Sequence, residues 1–226
     1  IALNHLPESP AEAQPSEESK PFQLPGRLPN LTVKELAVPE LSIGPDALGE
    51  GGVFELRGSI VRPGDTSGLK ATLRIVRTDE APESSADLSI ELCSKPSRLQ
   101  VNLDFSEAAD GWVARLARLE QAGPLSLSLH GSGPVSQWQG QLQTFAGAFG
   151  SVQAAVELGL DEAIRVRLQG EYVLGSFPGA SQLQTAAGST IQFLLSGLFQ
   201  PSERIEINQA VLEGTGTKLD LLGSQL

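Results

Sequence analysis

Between Gly123 and Leu168 lie segments in which apolar and polar residues alternate, and that two-residue period constrains the fold more tightly than anything else in the chain. Leu125, Leu127 and Leu129 are interleaved with Ser126, Ser128 and His130. Val152, Ala154, Val156 and Leu158 are interleaved with Gln153, Ala155 and Glu157, and Ile164, Val166 and Leu168 with Arg165, Arg167 and Gln169. A two-residue period sends successive side chains to opposite faces, so these segments read as strands with one greasy and one wet face. Gly, Pro and Asp cluster between them, which places short turns between consecutive strands.

The same signature extends in both directions. Phe54, Leu56 and Ile60 share one side of Val53–Val61, and Leu69, Ala71, Leu73 and Ile75 oppose Lys70, Thr72 and Arg74. Leu88, Ile90 and Leu92 alternate with Asp87, Ser89, Glu91 and Cys93, and Leu99, Val101, Leu103 and Phe105 with Gln100, Asn102 and Asp104. Leu142 continues the pattern, as do Ile191, Phe193 and Leu195, then Ile205 and Ile207, then Leu219 and Leu221. In LTVKELAVPELSI (31–43) the alternation slips by one between triplets, which predicts a bulged or bent strand. The expected total is about ten to twelve strands, each of ordinary strand length. With 24 Gly and 15 Pro in 226 residues, the composition suits many short strands and not a helical bundle.

One helix is expected to interrupt the series. Ser106 is positioned as an N-cap ahead of EAADGWVARLARLEQAG, and Trp112, Leu116 and Leu119 form a stripe at i, i+4 and i+7. Gly123 and Pro124 end it. It either covers one end or face of the sheet or plugs a groove. The passage SFPGASQLQTAAGST reads only as rich in Gly, Ser and Ala.

Residues 1–30, rich in Pro, Glu and Ser, read as an extended linker that lacks the apolar surface to offset its own ordering. Residues 31–226 read as one β domain. The chain opens on Ile1 and has no methionine, so it is read as a fragment of a longer repetitive protein. Its net charge of -11 argues against nucleic acid and against a basic patch for anionic lipid. A lone Cys93 rules out an internal disulfide, and no apolar run approaches the ~18 residues of a membrane span.

No catalytic constellation appears. His5 and His130 are far apart, His130 and Cys93 sit on polar phases, and converging metal ligands are not evident. Asp87, Glu91, Asp104 and Glu157 also lie on polar phases, as a solvated face does. Gly131–Pro134 reads as a turn and not a nucleophile elbow, and the EGTGTK stretch around Gly214 lacks phosphate-loop spacing. The reading is a non-enzyme with no cofactor and no metal.

What remains is the apolar face. About ten strands at about 4.8 Å make a sheet some 50 Å long, which one helix of about 15 residues, about 22 Å, does not cover. Either the sheet closes on itself as a sandwich, or it forms a trough whose lining needs an apolar filling. The expected lining is Leu88, Ile90, Leu92, Leu99, Val101, Leu103, Leu125, Leu127, Leu129, Leu142, Val152, Val156, Leu158, Ile164, Val166 and Leu168.

The run LPNLTVKELAVPELSIGPDALGEGGVFELRGSI resembles the TamB-like family, the translocation and assembly module component of Gram-negative envelopes. So do LDFSEAADGWVARLARL and LSLSLHGSGPVSQWQGQL, with a leucine strand, a G-x-G-P turn at Gly131–Pro134, Trp138, and Gly140 with Leu142. The resemblance covers most of 28–226 and leaves the linker unmatched. It implies a mainly β, elongated antiparallel β-taco or groove, an incomplete solenoid-like sheet with one short amphipathic helix. It further implies a periplasmic bridge from an inner-membrane anchor to an outer-membrane barrel partner. Phospholipid or nascent outer-membrane protein would be its cargo, and its groove would be related to that of the AsmA-like bridge lipid carriers. The competing expectations are a closed β-sandwich or solenoid spacer that binds protein partners, and an envelope hydrolase.

Overall fold

The computed structural model describes residues 2–3, 32–45, 51–62, 68–94, 96–117, 119, 122–160, 164–200 and 204–225. Most of the expected linker, with His5, lies outside the described residues.

The described strands form one sheet in which spatial order equals chain order. A two-residue strand, β1 (Ala2–Leu3), adds in parallel to β2 (Val33–Ile43). Every later pairing is antiparallel, through β3 (Gly52–Val61), β4 (Gly68–Arg77), β5 (Ser84–Ser94) and β6 (Ser97–Glu107). The meander continues through β7 (Leu125–Pro134), β8 (Trp138–Ala146), β9 (Gly150–Leu160) and β10 (Ile164–Leu174). It ends with β11 (Thr190–Gln200), β12 (Arg204–Gly214) and β13 (Thr217–Gln225). The result is a mainly β fold: twelve long antiparallel strands in one open, elongated, groove-like sheet. No second sheet stacks on it among the described residues, so the closed sandwich is not the architecture.

Local chemistry explains the turns. Gly216 takes φ +88° in the two-residue link between β12 and β13, a conformation that only glycine adopts without cost. The slipped alternation of 31–43 appears as two register shifts in β2, between Val33 and Leu36 and between Val38 and Leu41.

Two α-helices have described ranges, both at the strand ends that carry Arg77, Glu107, Leu125 and Leu174. The first, α1, is only Trp112–Leu116. The longer helix expected behind a Ser106 cap does not form, because β6 runs on through Glu107. Ser106 stands in a cross-strand row between Ser85 and Ser126, with its hydroxyl 3.0 Å from that of Ser85. Gly111 is the N-cap instead, with extended backbone. The orphan N–H groups of Val113 and Ala114 donate to the Glu107 carboxylate at 3.1 Å each. Leu116 faces solvent at 59% exposure and not the core. The second helix, α2 (Ala180–Ala187), lies in the passage that composition left featureless. It is bracketed by Gly179 and Gly188, both at positive φ.

The tightest packing sits under α1, where Ala114, Ala122 and Leu125 are buried against Phe105, Val113, Leu119, Ala146 and Phe149. Trp112 meets Phe54 edge-on at 6.0 Å between ring centroids, and Phe149 stacks on Phe177 at 5.4 Å.

Candidate functional site

Register decides what the sheet offers. Leu36 lies opposite Gly58, then Leu73, Leu88, Leu103, Leu129, Leu142, Ala154, Gly170, Phe193, Leu212 and Leu219, one residue per long strand. A neighbouring row runs Ile60, Ala71, Ile90, Val101, Gly131, Gly140, Val156, Leu168, Leu195, Ala210 and Leu221. Not one polar side chain enters either row. A slip of one residue at any hairpin would have turned the rest of the sheet inside out.

The sixteen lining residues expected from the sequence all fall on this one face. Leu125 and Val156 are buried, and the other fourteen are half-buried. The face is larger than expected, since β2, β3 and β4 extend it in one direction and β11, β12 and β13 in the other. The alternation at Phe54–Ile60 and Leu69–Ile75 carried that signal; only the register shows that it joins the same surface.

Depth varies along the face. Near its middle Trp138 is 1% exposed, with its ring lying over the backbone of Gly131 and Gly140. A Cβ on Gly140 would come within 2.5 Å of Trp138 Cη2, so these glycines make the floor on which the indole rests. The indole Nε1–H has no acceptor among the described residues. Towards the ends the face opens: Leu36 is 45% exposed, Leu212 46%, Leu219 47% and Leu221 53%.

Charge enters the apolar phase at the α1 rim. Arg77, opposite Phe54, is buried and donates from Nε to Asp79 Oδ1 at 2.7 Å and from Nη2 to Gly51 O at 3.3 Å. The Arg77 hydrogen bond, aided by the Val53 N–H, holds the Asp79 carboxyl below its ordinary range. Tyr172, in the same phase, donates to Phe149 O at 2.5 Å, and burial pushes its phenol up.

The opposite face is mostly polar, with Val173, Leu194, Val211 and Leu222 as apolar exceptions towards the β13 end. His130 stands 3.0 Å from Asp104 Oδ1 and 3.2 Å from Asn102 Oδ1, and Cys93 lies between Gly68 and Arg98. Among the described residues no group of three or more His, Cys, Asp and Glu side chains converges as metal ligands. Likewise no described helix is long and apolar enough to cross a membrane.

Fold and face together define a class: a single-layer β-meander with one continuous apolar surface. No family model, curated protein or solved structure matches the chain.

Proposed function

We propose that this chain is a non-enzymatic, periplasmic segment of a TamB-like bridge between inner and outer membranes. Its apolar face shields lipid acyl chains or apolar polypeptide during phospholipid transport and outer-membrane protein assembly. The observation that carries this reading is the unbroken apolar row from Leu36 to Leu219. Twelve strands at about 4.8 Å make that row about 55 Å long, far beyond the patch a soluble monomer leaves bare. A sliding apolar cargo needs such a surface, because a single charge in the path imposes a desolvation barrier of several kcal/mol.

The test is lipid retention after gentle purification, read by native mass spectrometry. Val166→Glu places a charge on the same apolar face, between Leu158 and Gly197 beside these rows, and is expected to abolish retention. Gln141→Glu adds the same charge to the polar face and leaves retention intact. Equal retention by both variants refutes the carrier role. A wild-type chain free of lipid, with partner binding intact, favours the spacer or protein-interaction module instead.

A further inference from the structure

The polar face holds one large aromatic side chain with no evident structural task. Phe145 lies opposite Ser126 on one side and Ser151 on the other, and is 46% exposed. Its cross-strand row is otherwise small and hydroxylated on the β5 side, where Ser85, Ser106 and Ser126 follow one another. The next row brings Asp87, Asp104, Ser128, Gln143 and Gln153 alongside. Together they line a shallow hollow of about 400 Å³ that contains no Lys or Arg.

The lining restricts the ligand by exclusion and by fit. Phosphate and other anions are disfavoured, since two carboxylates and no cation face the hollow. An added peptide strand is disfavoured too, because β6, β7, β8 and β9 are interior strands whose backbone groups are already paired on both sides. A ligand must therefore be read by side chains alone. Carboxylate oxygens accept from adjacent hydroxyls, Gln amides and Ser hydroxyls both donate and accept, and an exposed ring packs against a flat face of C–H groups. A neutral sugar presents all three complements.

We propose that this hollow is a saccharide-binding site for a neutral glycan chain, with Phe145 as the stacking platform and Asp104 and Gln143 as hydroxyl readers. Asp104 is steadied by His130 at 3.0 Å, and Asp87 is neutralised in part by Arg74 at 3.8 Å, which limits repulsion between the paired carboxylates. The site is on the face opposite the apolar row and is independent of any lipid carried there.

Titration of the whole chain with chitotetraose and with cellotetraose, by calorimetry and by saturation transfer to the ligand C–H protons, tests the assignment. Wild type binds at least one of them. Phe145→Ala weakens binding about tenfold or more, whereas Phe145→Trp stays within about threefold. Circular dichroism of both variants matches wild type, because the ring is exposed. Absence of binding to either tetrasaccharide at about 10 mM overturns the proposal. So does undiminished binding by Phe145→Ala, or capture of a proline-rich peptide in place of both sugars.

Discussion

Trp138 and its two glycines form a unit whose energetics follow from geometry. The indole is 1% exposed, so Trp138→Ala removes a fully buried aromatic from a site that the flanking strands keep from collapsing. The expected cost is about 3–5 kcal/mol. Gly140→Ala, with Trp138 in place, drives a methyl to 2.5 Å from Cη2 and 2.9 Å from Cζ3. The ring has no free space to yield, and the overpacking costs about 1–3 kcal/mol. With alanine at 138 the ring is gone and the nearest atom to the new methyl is His130 O at 3.0 Å, a tight contact but a far milder one, so the same change should cost about 1 kcal/mol less than with the ring in place. The double-mutant cycle therefore predicts a coupling of about 1 kcal/mol or more, measured by urea unfolding followed by far-UV circular dichroism. Additivity within about 0.5 kcal/mol would refute the idea that the glycines exist to seat the indole. Trp138→Phe is expected to cost less than Trp138→Ala, because it keeps a ring and deletes a buried N–H that has no acceptor.

Asp79 gives the fold an acid limit. Its carboxyl is depressed below an ordinary value of 3.8, so its stabilisation is present above that value and is lost as pH falls through the lower folded one. Asp79→Asn should cost about 2–3 kcal/mol at neutral pH by stranding the buried Arg77 guanidinium, and urea midpoints of variant and wild type should converge as pH falls below the ordinary carboxylate range. Glu107→Ala removes both acceptors that start α1, at about 2–3 kcal/mol, and should release Trp112 from Phe54, read as a red-shifted emission. An unshifted spectrum would show that α1 holds without its carboxylate.

The sequence carried the strands because the two-residue period recurs in segment after segment, a period that a helix does not produce. It even carried the bulges of β2, since a slip between Val33 and Leu36 is a slip in the side-chain pattern itself. Its failures have physical causes. Ser106 is a good cap by type, but a hydroxyl also suits a polar cross-strand row, and the ladder with Ser85 and Ser126 extended β6 past it. The cap that forms uses Glu107, a strand residue reaching across Gly111, and sequence spacing does not advertise that closure. The second helix went unread because Ala180–Ala187 is short and lies between two positive-φ glycines, in a passage whose composition suggests only a loop. Trp138 was legible as the aromatic that follows the Gly131–Pro134 turn, but its floor of Gly131 and Gly140 comes from antiparallel register, which no local pattern encodes.

Half-burial of the face has a cause internal to the sheet. Each apolar residue is flanked by cross-strand neighbours at about 5 Å and by same-face residues two positions along its own strand, which together cover its sides and leave its tip bare. The helices do little for the tips: α1 spans about 7 Å and α2 about 12 Å, against a sheet about 55 Å across. Both sit at one rim, where Leu125, Leu174 and Ala180 are buried, while Leu212, Leu219 and Leu221 stay open. Selection for stability alone would break the open rows with polar side chains, because a bare apolar sheet aggregates. The rows from Leu36 to Leu219 and from Ile60 to Leu221 contain no such break, which supports the proposed carrier role over that of a plain spacer.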